Sequence, residues 1–362
     1  MKKLLLAFAF LLVAVPAHAD ITIGLAGPFS GDNAFMGEQM SHGAEQAVAD
    51  INAHGGVDGQ KLVLRKMDDA CDPKQAVTVA NRMASEGIQF VVGHACSSAS
   101  IPASHVYNDE GILMISPVSS NPALTDAGYK TIFRAYVRDD QQGAFIAGYI
   151  LKHFKGEKVA IVNDKSAWGR GIADIVRAGL GKGGVKPTLF ESINVGDRDF
   201  SALVTRFKRA GIKVAFVACY STEAGLITRQ LKEQKAGVQV IGGDAIFTNQ
   251  FWSVTGQTGE GVLMSAAADA RKLPEAAQAL AELRKSGYEP EGYTLNTYAA
   301  VQVVAAGIRR AGQHPYKVAA ALRAKPVKTV IGVLHFDAKG DLEHPAFSMY
   351  RWHDGTYAEI KG

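Results

Sequence analysis

Short apolar segments alternate with helix-like segments along most of this 362-residue chain. The apolar runs include ITIGLAG, IQFVVGHA and ILMISP in the first part, and KVAIVND, KVAFVACYS and VQVIGGDAI in the second. Polar and apolar residues do not alternate within these runs, which is typical of parallel strands covered by helices on both faces. The pattern therefore predicts an α/β fold with two doubly wound parallel-sheet lobes.

The last third of the chain is richer in helix-like segments, such as LPEAAQALAELRKSG and YTLNTYAAVQVVAAGIRRAG, than in strands. Because its late strands are too few for a third sheet, we expect these helices to pack on lobes already formed. The chain should then cross between the lobes near Arg134–Asp139, Gly261–Asp269 and Pro345–Tyr350. Several crossings make a hinge beside a cleft, and ligands of such folds bind in the cleft at the carboxyl ends of the strands.

These crossings define the predicted domains. An N-terminal lobe would contain residues 20–138 and 268–347, and a C-terminal lobe would contain residues 139–267 and 348–362.

Residues 1–19 have the features of a secretory signal peptide. Two lysines precede the apolar run LLLAFAFLLVAV, and the segment closes with Ala17-His18-Ala19, which matches an A-x-A cleavage signal. We expect cleavage after Ala19 and export to the periplasm, since the run is short for a membrane span.

The charge of the chain argues against a polyanionic partner. The formal net charge of +4 falls to +2 once Lys2 and Lys3 are removed with the signal peptide, and the remaining charges are scattered. We therefore expect no nucleic-acid binding. No CxxC, HxxxH or clustered histidine occurs, so we expect no metal and no cofactor.

Three cysteines in an exported chain suggest one disulfide and one free thiol. Cys71 and Cys96 each follow a predicted strand at the same end of one sheet, close enough to be bridged. Cys219 ends the apolar run KVAFVAC and is expected to be a buried free thiol.

The residues just past each predicted strand indicate the chemistry of the cleft. In the first lobe, Cys96 leads into the hydroxyl-rich start of a helix at Ser97, and Pro117–Ser120 follows ILMIS. Hydroxyls and helix N-termini suit a carboxylate. The second lobe offers a carboxylate and two aromatic rings, Asp244, Trp168 and Tyr220, which suit a cation and an apolar body. Together the two sets match a zwitterionic α-amino acid.

The whole chain after residue 19 resembles the periplasmic leucine/isoleucine/valine-binding proteins, the substrate-binding components of branched-chain amino-acid ABC transporters. The resemblance rests on the motifs GPFSGDNAFMGEQ, GAEQAVADINAHGGVDGQKL, DDACDPKQAV, GHACSSAS, EGILMISP and KGDL. It implies a type I periplasmic-binding fold, capture of an L-amino acid by lobe closure, and docking on an inner-membrane permease. A monomer is the expected state.

The resemblance also implies roles for single residues. Ser97, Ser120 and the backbone around Ala95, Cys96 and Val118 match the family's contacts to the ligand carboxylate. Tyr220 and Asp244 match the pair that holds the ammonium group, and Cys71–Cys96 matches the family's disulfide. Met36, Trp168 and Tyr293 match positions in the wall around the ligand side chain.

Several of these positions depart from the leucine-type pattern. Asp244 stands in place of Glu and Ser120 in place of Thr, which keeps the chemistry but shortens the acidic side chain. Ala95 in place of Leu enlarges the pocket, whereas Val118 in place of Ala and Trp168 in place of Tyr reduce it, and Met36 replaces a wall Tyr. The resemblance therefore predicts leucine, isoleucine or valine as ligand, with an aromatic amino acid as the alternative.

Other function classes are less well supported by the sequence. His94, Ser97 and Asp244 could form a hydrolytic triad, but there is no GxSxG motif. The GxGxxG match at residues 179–184 falls at the end of a helix, where it is a helix cap and not a nucleotide loop. We therefore expect no enzyme activity. A ligand sensor that uses the same fold remains a second possibility.

Overall fold

The computed structural model describes residues 19–343 and 345–360. The predicted signal peptide, apart from Ala19, lies outside these residues. Within the described ranges, no helix is both long and apolar enough to cross a membrane.

The first lobe is built on a five-stranded parallel sheet with the strand order β2-β1-β3-β4-β5. Its strands are β1 (Ile21–Gly27), β2 (Leu62–Asp68), β3 (Phe90–Val92), β4 (Leu113–Ser116) and β5 (Ile132–Arg134). The helices between them are α1 (Ala34–Ala53), α2 (Pro73–Ser85), α3 (Ser97–Asp109) and α4 (Ala123–Asp126). Strands β3, β4 and β5 are buried throughout, as the unbroken apolar runs predicted.

The second lobe repeats the strand and helix alternation. Its helices are α5 (Asp139–His153), α6 (Ala167–Lys182), α7 (Ser201–Ala210), α8 (Ser221–Glu233) and α9 (Asn249–Thr255). Its parallel strands are β6 (Val159–Asn163), β7 (Leu189–Ser192), β8 (Val214–Ala218), β9 (Gln239–Gly242) and β10 (Leu263–Ala267). The central strands β6 and β8 are fully buried, whereas β7 is partly exposed at the sheet edge.

The last third contributes to both lobes. It contains α10 (Ala277–Lys285), α11 (Thr294–Ala311), α12 (Pro315–Ala324), β11 (Val327–Thr329), β12 (Gly332–Leu334), β13 (Phe347–His353) and β14 (Thr356–Glu359). Helix α11 packs on α1 of the first lobe. Strands β13 and β14 add antiparallel to the second sheet, which has the order β14-β13-β10-β9-β8-β6-β7.

This strand membership requires the chain to pass between the lobes after Arg134, after Ala267 and before Phe347. These places fall within or beside the three predicted crossings. We therefore propose the lobe boundaries given by the sequence, with the three connections as the hinge. The prediction of two doubly wound lobes is confirmed.

The predicted disulfide is present. Cys71 follows β2, Cys96 caps α3, and the two are bonded with their Cα atoms 5.4 Å apart. Cys219 is a free, fully buried thiol at the end of β8. The disulfide joins the two loops at the carboxyl ends of β2 and β3, beside the predicted carboxylate-binding site.

Candidate functional site

The predicted carboxylate-binding site, around Ser97 and Ser120, is formed where β3 and β4 end. Ser97 is the first residue of α3 and is buried, so its hydroxyl lies among the helix N–H groups that have no partner within the helix. The Oγ of Ser97 accepts a hydrogen bond from the backbone N–H of Asn121, 3.3 Å away. Hydroxyl and N–H donors therefore converge at one helix N-terminus, which favours an anion.

A network of buried serines holds this site in place. The carbonyl oxygen of His94 accepts hydrogen bonds from Ser116 Oγ at 2.7 Å and from Ser100 Oγ at 3.1 Å. Ser119 Oγ donates to the carbonyl of Ala95 at 2.7 Å. These bonds fix the backbone on both sides of the predicted contacts at Ala95 and Val118. In the sequence, these serines stand among the small hydroxyl residues at the ends of β3 and β4.

The opposite side of the site contains a buried acid. Asp244 follows β9 and is 4% exposed, and burial raises the pKa of its carboxyl above the ordinary value. The hydroxyl of Tyr293 donates to its Oδ2 at 3.3 Å, and Tyr136 and Gln142 also lie within bonding reach of the carboxyl. Its Oδ1 has no hydrogen-bond partner among the described residues.

Two aromatic residues, Tyr220 and Trp168, complete the side of the cavity that contains Asp244. Tyr220 precedes α8 and its ring stacks on that of Trp168, with centroids 5.3 Å apart. The Tyr220 hydroxyl is buried and no described residue bonds to it. Asp164, after β6, accepts from the backbone N–H groups of Tyr220 and Ser166, and burial raises its pKa to about 6. This carboxyl therefore orients the loops that present both rings.

Eight of the ten predicted site residues line one small cavity between the lobes. They are Ala95, Ser97, Val118, Ser120, Trp168, Tyr220, Asp244 and Tyr293. Ser119 and Ala245 also line it. Cys96 lies next to the cavity in the chain but is not part of its lining. Met36 is buried in α1, also away from the lining.

Three residues near the first crossing belong to the surroundings of this site but were not predicted. The Tyr136 ring packs edge-on against Tyr293, with centroids 5.4 Å apart. Gln142 Nε2 donates to the carbonyl of Ser265 on β10. Asp139 is fully buried at the start of α5. Acidic residues at the start of a helix are common, so the sequence around Asp139 gave no specific signal.

The two lobes touch on both sides of this cavity. On one side, the N–H of Ala167 at the start of α6 donates to Ser98 Oγ at 3.0 Å, and Asn121 Nδ2 donates to the Ala167 carbonyl at 2.6 Å. On the other, Gln39 Nε2 donates to Thr248 Oγ1 at 3.1 Å. Such contacts need the lobes to be closed over the cavity.

A larger cavity, of about 250 Å³, lies beside the hinge connections and does not match an amino acid as well. The charged side chains of Asp269, Arg271 and Glu291 in its lining already have partners. Arg271 bonds to Asp269 and to the hydroxyl of Tyr357, and Glu291 accepts from the N–H of Asn249 at 2.6 Å. Because a zwitterion needs unpaired partners, the smaller cavity is the better candidate.

The alternative hydrolytic triad is not assembled. His94 Nδ1 lies 2.6 Å from Asp69 Oδ2, and Nε2 lies 2.9 Å from the Tyr107 hydroxyl. All three side chains are fully buried beneath the disulfide. Both ring nitrogens of His94 are therefore occupied by partners other than Ser97.

Comparison with known proteins places this geometry in a family. The family profile described as "Periplasmic binding protein" matches residues 20–356. A protein of Brucella melitensis called "Leu/Ile/Val-binding protein homolog 1" is 44% identical over 95% of this chain and 94% of its own length. An "Amino acid binding protein" of Pseudomonas aeruginosa is also 44% identical, over 95% of this chain and 93% of its own.

A solved structure supports the same assignment. The ABC transporter substrate-binding protein from Desulfitobacterium hafniense, in complex with Leu, is 28% identical and superposes with a TM-score of 0.77. The match covers 94% of this chain and all of that one. Since profile, relatives and structure agree over nearly the full length, the chain belongs to the periplasmic binding protein family and is a solute-binding protein.

Proposed function

We propose that this protein binds a branched-chain L-amino acid (leucine, isoleucine or valine) in the cavity between its lobes. The observation that carries the proposal is the distribution of polar groups around one small cavity. Hydroxyl and N–H donors converge on it from the first lobe, and the Asp244 carboxyl faces it from the second. A zwitterion satisfies both sets at once.

The remaining wall favours an apolar side chain. Ala95, Val118, Trp168 and Ala245 line the cavity and carry no ionisable group. The names of the relatives and the leucine complex of the Desulfitobacterium protein support the same ligand class. An aromatic amino acid is the second candidate, favoured by the stacked Trp168 and Tyr220 rings.

In this proposal Ser97 and Ser120 bind the carboxylate, and Asp244 and Tyr220 bind the ammonium group. Charged groups buried in this way discriminate against ligands that lack either charge, because the partner would be left unpaired. Trp168 and Tyr293 contact the side chain. Met36, which lies outside the cavity lining, would act only by supporting the wall from α1.

The biological role follows from the family. We propose that the chain is exported to the periplasm with cleavage after Ala19, acts as a monomer without changing its ligand chemically, and delivers it to an ABC permease in the inner membrane. A ligand sensor of the same fold is the alternative. Amino-acid uptake in a deletion strain separates the two roles, because only a transport component is needed for uptake.

A thermal-shift screen across the amino acids tests the ligand class, because binding to the folded state alone raises the unfolding midpoint. Leucine, isoleucine and valine should give the largest shifts, followed by calorimetric titration of each. A larger shift with phenylalanine than with leucine would favour the second candidate. No shift with any amino acid would contradict the proposal.

A further inference from the structure

Asp139 is a buried carboxyl beside the cavity that has no role in the binding scheme above. It is the first residue of α5, at the crossing between the lobes, and is 0% exposed. Among the residues that the structure describes, neither of its oxygens has a hydrogen-bond partner, although the Ser120 hydroxyl and the Trp168 indole lie near it. An unpaired buried carboxylate is costly, so this group should have a partner that the protein alone does not supply.

The nearest cation does not supply that partner. The Arg134 guanidinium lies close enough to act on Asp139 electrostatically. No hydrogen bond joins the two side chains, however, and four of the five N–H donors of Arg134 bond to Asp341 Oδ1 at 2.6 Å, to the carbonyls of Ser119 and Asn121, and to Thr125 Oγ1. The backbone N–H of Asp139 is also taken, since it donates to the Ser120 carbonyl at 2.9 Å.

A second buried acid, Asp244 in the cavity lining, lies near enough to Asp139 to act on it electrostatically. Asp244 acts on Asp139 as a like charge, and burial raises the pKa of both carboxyls, that of Asp139 to about 8. Two adjacent buried carboxyls cannot both be ionised without a cation, so they retain a proton near neutral pH. The other titratable groups facing the pair are the phenols of Tyr136, Tyr220 and Tyr293, whose pKa values are raised, so they stay neutral.

We propose that Asp139 is a second carboxylate of the ammonium subsite, and that in the empty protein it shares with Asp244 a proton that the incoming ammonium group displaces. This inference rests on the proposed function, since it assumes an amino-acid ligand. The three ammonium hydrogens would meet three acceptors that lack partners: Asp139, Asp244 Oδ1 and the Tyr220 hydroxyl. The displaced proton leaves to solvent, so the net charge of the ammonium subsite, two carboxylates and one cation, stays at −1.

The proposal is tested by calorimetric titration of the full protein with L-leucine in buffers of different ionisation enthalpy, which gives the protons released per ligand bound. At about pH 7 the wild type should release between about one half and one proton, because the pair is then singly protonated. Its affinity should rise by up to about tenfold per pH unit between roughly pH 6.5 and 8. Asp164, with a pKa of about 6, titrates mainly below this range.

The variant Asp139→Asn separates this role from a structural one. At about pH 6.5, where wild-type Asp139 is protonated and resembles Asn, the two proteins should bind leucine with similar affinity. At about pH 8.5 the wild type should bind roughly tenfold more tightly, and the variant should release fewer protons. Asp140→Asn removes a neighbouring, half-exposed acid that is paired with Arg138, and should behave like the wild type.

The outcomes are distinct. An affinity ratio between Asp139→Asn and wild type that does not change with pH would overturn the proposal, as would wild-type binding without proton release. The second result needs no variant, so it holds even if the substitution impairs folding. A wild type that binds no amino acid would overturn the proposed function itself.

Discussion

The two halves of the cavity differ in how completely their polar groups are satisfied. On the first lobe, Ser100, Ser116 and Ser119 are bonded to backbone carbonyls, and the Cys71–Cys96 bond ties the loop beside Ser97 to its neighbour. On the other side, Asp244 Oδ1, the Tyr220 hydroxyl and both oxygens of Asp139 lack partners within the described chain. One half is therefore preorganised for a carboxylate, whereas the other is completed only by a cation.

This contrast predicts that the acidic half controls affinity most strongly. Asp244→Ala should reduce leucine affinity by on the order of 3 kcal/mol or more, because the buried ammonium loses its charged partner. Calorimetric titration measures the change, and Asp140→Ala is the matched control on an exposed acid. Affinity close to the wild type would remove Asp244 from the site.

The preorganised half should matter more for stability. Replacing both Cys71 and Cys96 by Ser should lower the free energy of unfolding by roughly 3 kcal/mol, since the bond closes a long loop. Urea unfolding gives the value, and mass mapping of the non-reduced protein should find these two cysteines linked. Cys219→Ser, in which no bond is lost, is the control, and mapping that links Cys219 would contradict the pairing.

The unsatisfied half should also make the empty protein sensitive to pH. The folded pKa of Asp139, about 8, lies above its unfolded value, so the folded state keeps a proton that the unfolded chain has released. Its stabilising contribution is complete below the unfolded pKa and is lost as the pH rises towards 8, by up to about 1.4 kcal/mol per pH unit.

Thermal unfolding across this range measures the slope. Asp139→Asn should reduce it, and so should saturating leucine, which replaces the proton. An equal slope in the variant and the wild type would assign the pH dependence to other groups, such as Asp164.

The wall of the cavity should affect selectivity more than overall affinity. Ala95→Leu adds volume on the first lobe, so it should weaken leucine and isoleucine binding by about 1–3 kcal/mol, the cost of overpacking a filled site. Valine, which is smaller, should lose less. Competition titrations give the order, and a greater loss for valine would show that Ala95 does not face the side chain.

The smallest effect is expected at the rim of the cleft, where Arg198 on the second lobe is paired with Asp32 on the first at 2.8 Å. Both side chains are about half exposed, so the pair should contribute no more than about 1 kcal/mol to closure, and less in high salt. Arg198→Ala should therefore change leucine affinity only slightly. Small-angle scattering should still detect compaction by ligand, and an unchanged radius of gyration in the wild type would argue against closure.

The sequence predicted the parts of the site that depend on strand ends. Asp244 and Tyr220 follow buried parallel strands, and the carboxyl ends of such strands share one edge, so their convergence required only the fold. The serines near Ser97 were identifiable in the same way. Predicting these residues required only the order of the strands and helices, and no further knowledge of tertiary packing.

The remaining residues depend on tertiary packing that the sequence does not show. Asp139 and Asp244 lie 105 positions apart in the second lobe, and only the packing of α5 against that lobe brings the two acids into one region. Met36, which the resemblance places in the wall, is buried on α1 and is not among the residues that line the cavity, so its role stays a prediction. Neither position can be read from local patterns, because both depend on how helices pack against the sheets.

The stacking of Trp168 on Tyr220 has a practical consequence. The chain has three tryptophans, and the other two, Trp252 and Trp352, stack on each other within the second lobe, away from the cavity lining. Indole fluorescence depends on the polarity and contacts of the ring, so a ligand entering the cavity should alter the emission of Trp168 and leave the other two nearly unchanged. The protein thus carries an intrinsic optical reporter of whether its cavity is occupied.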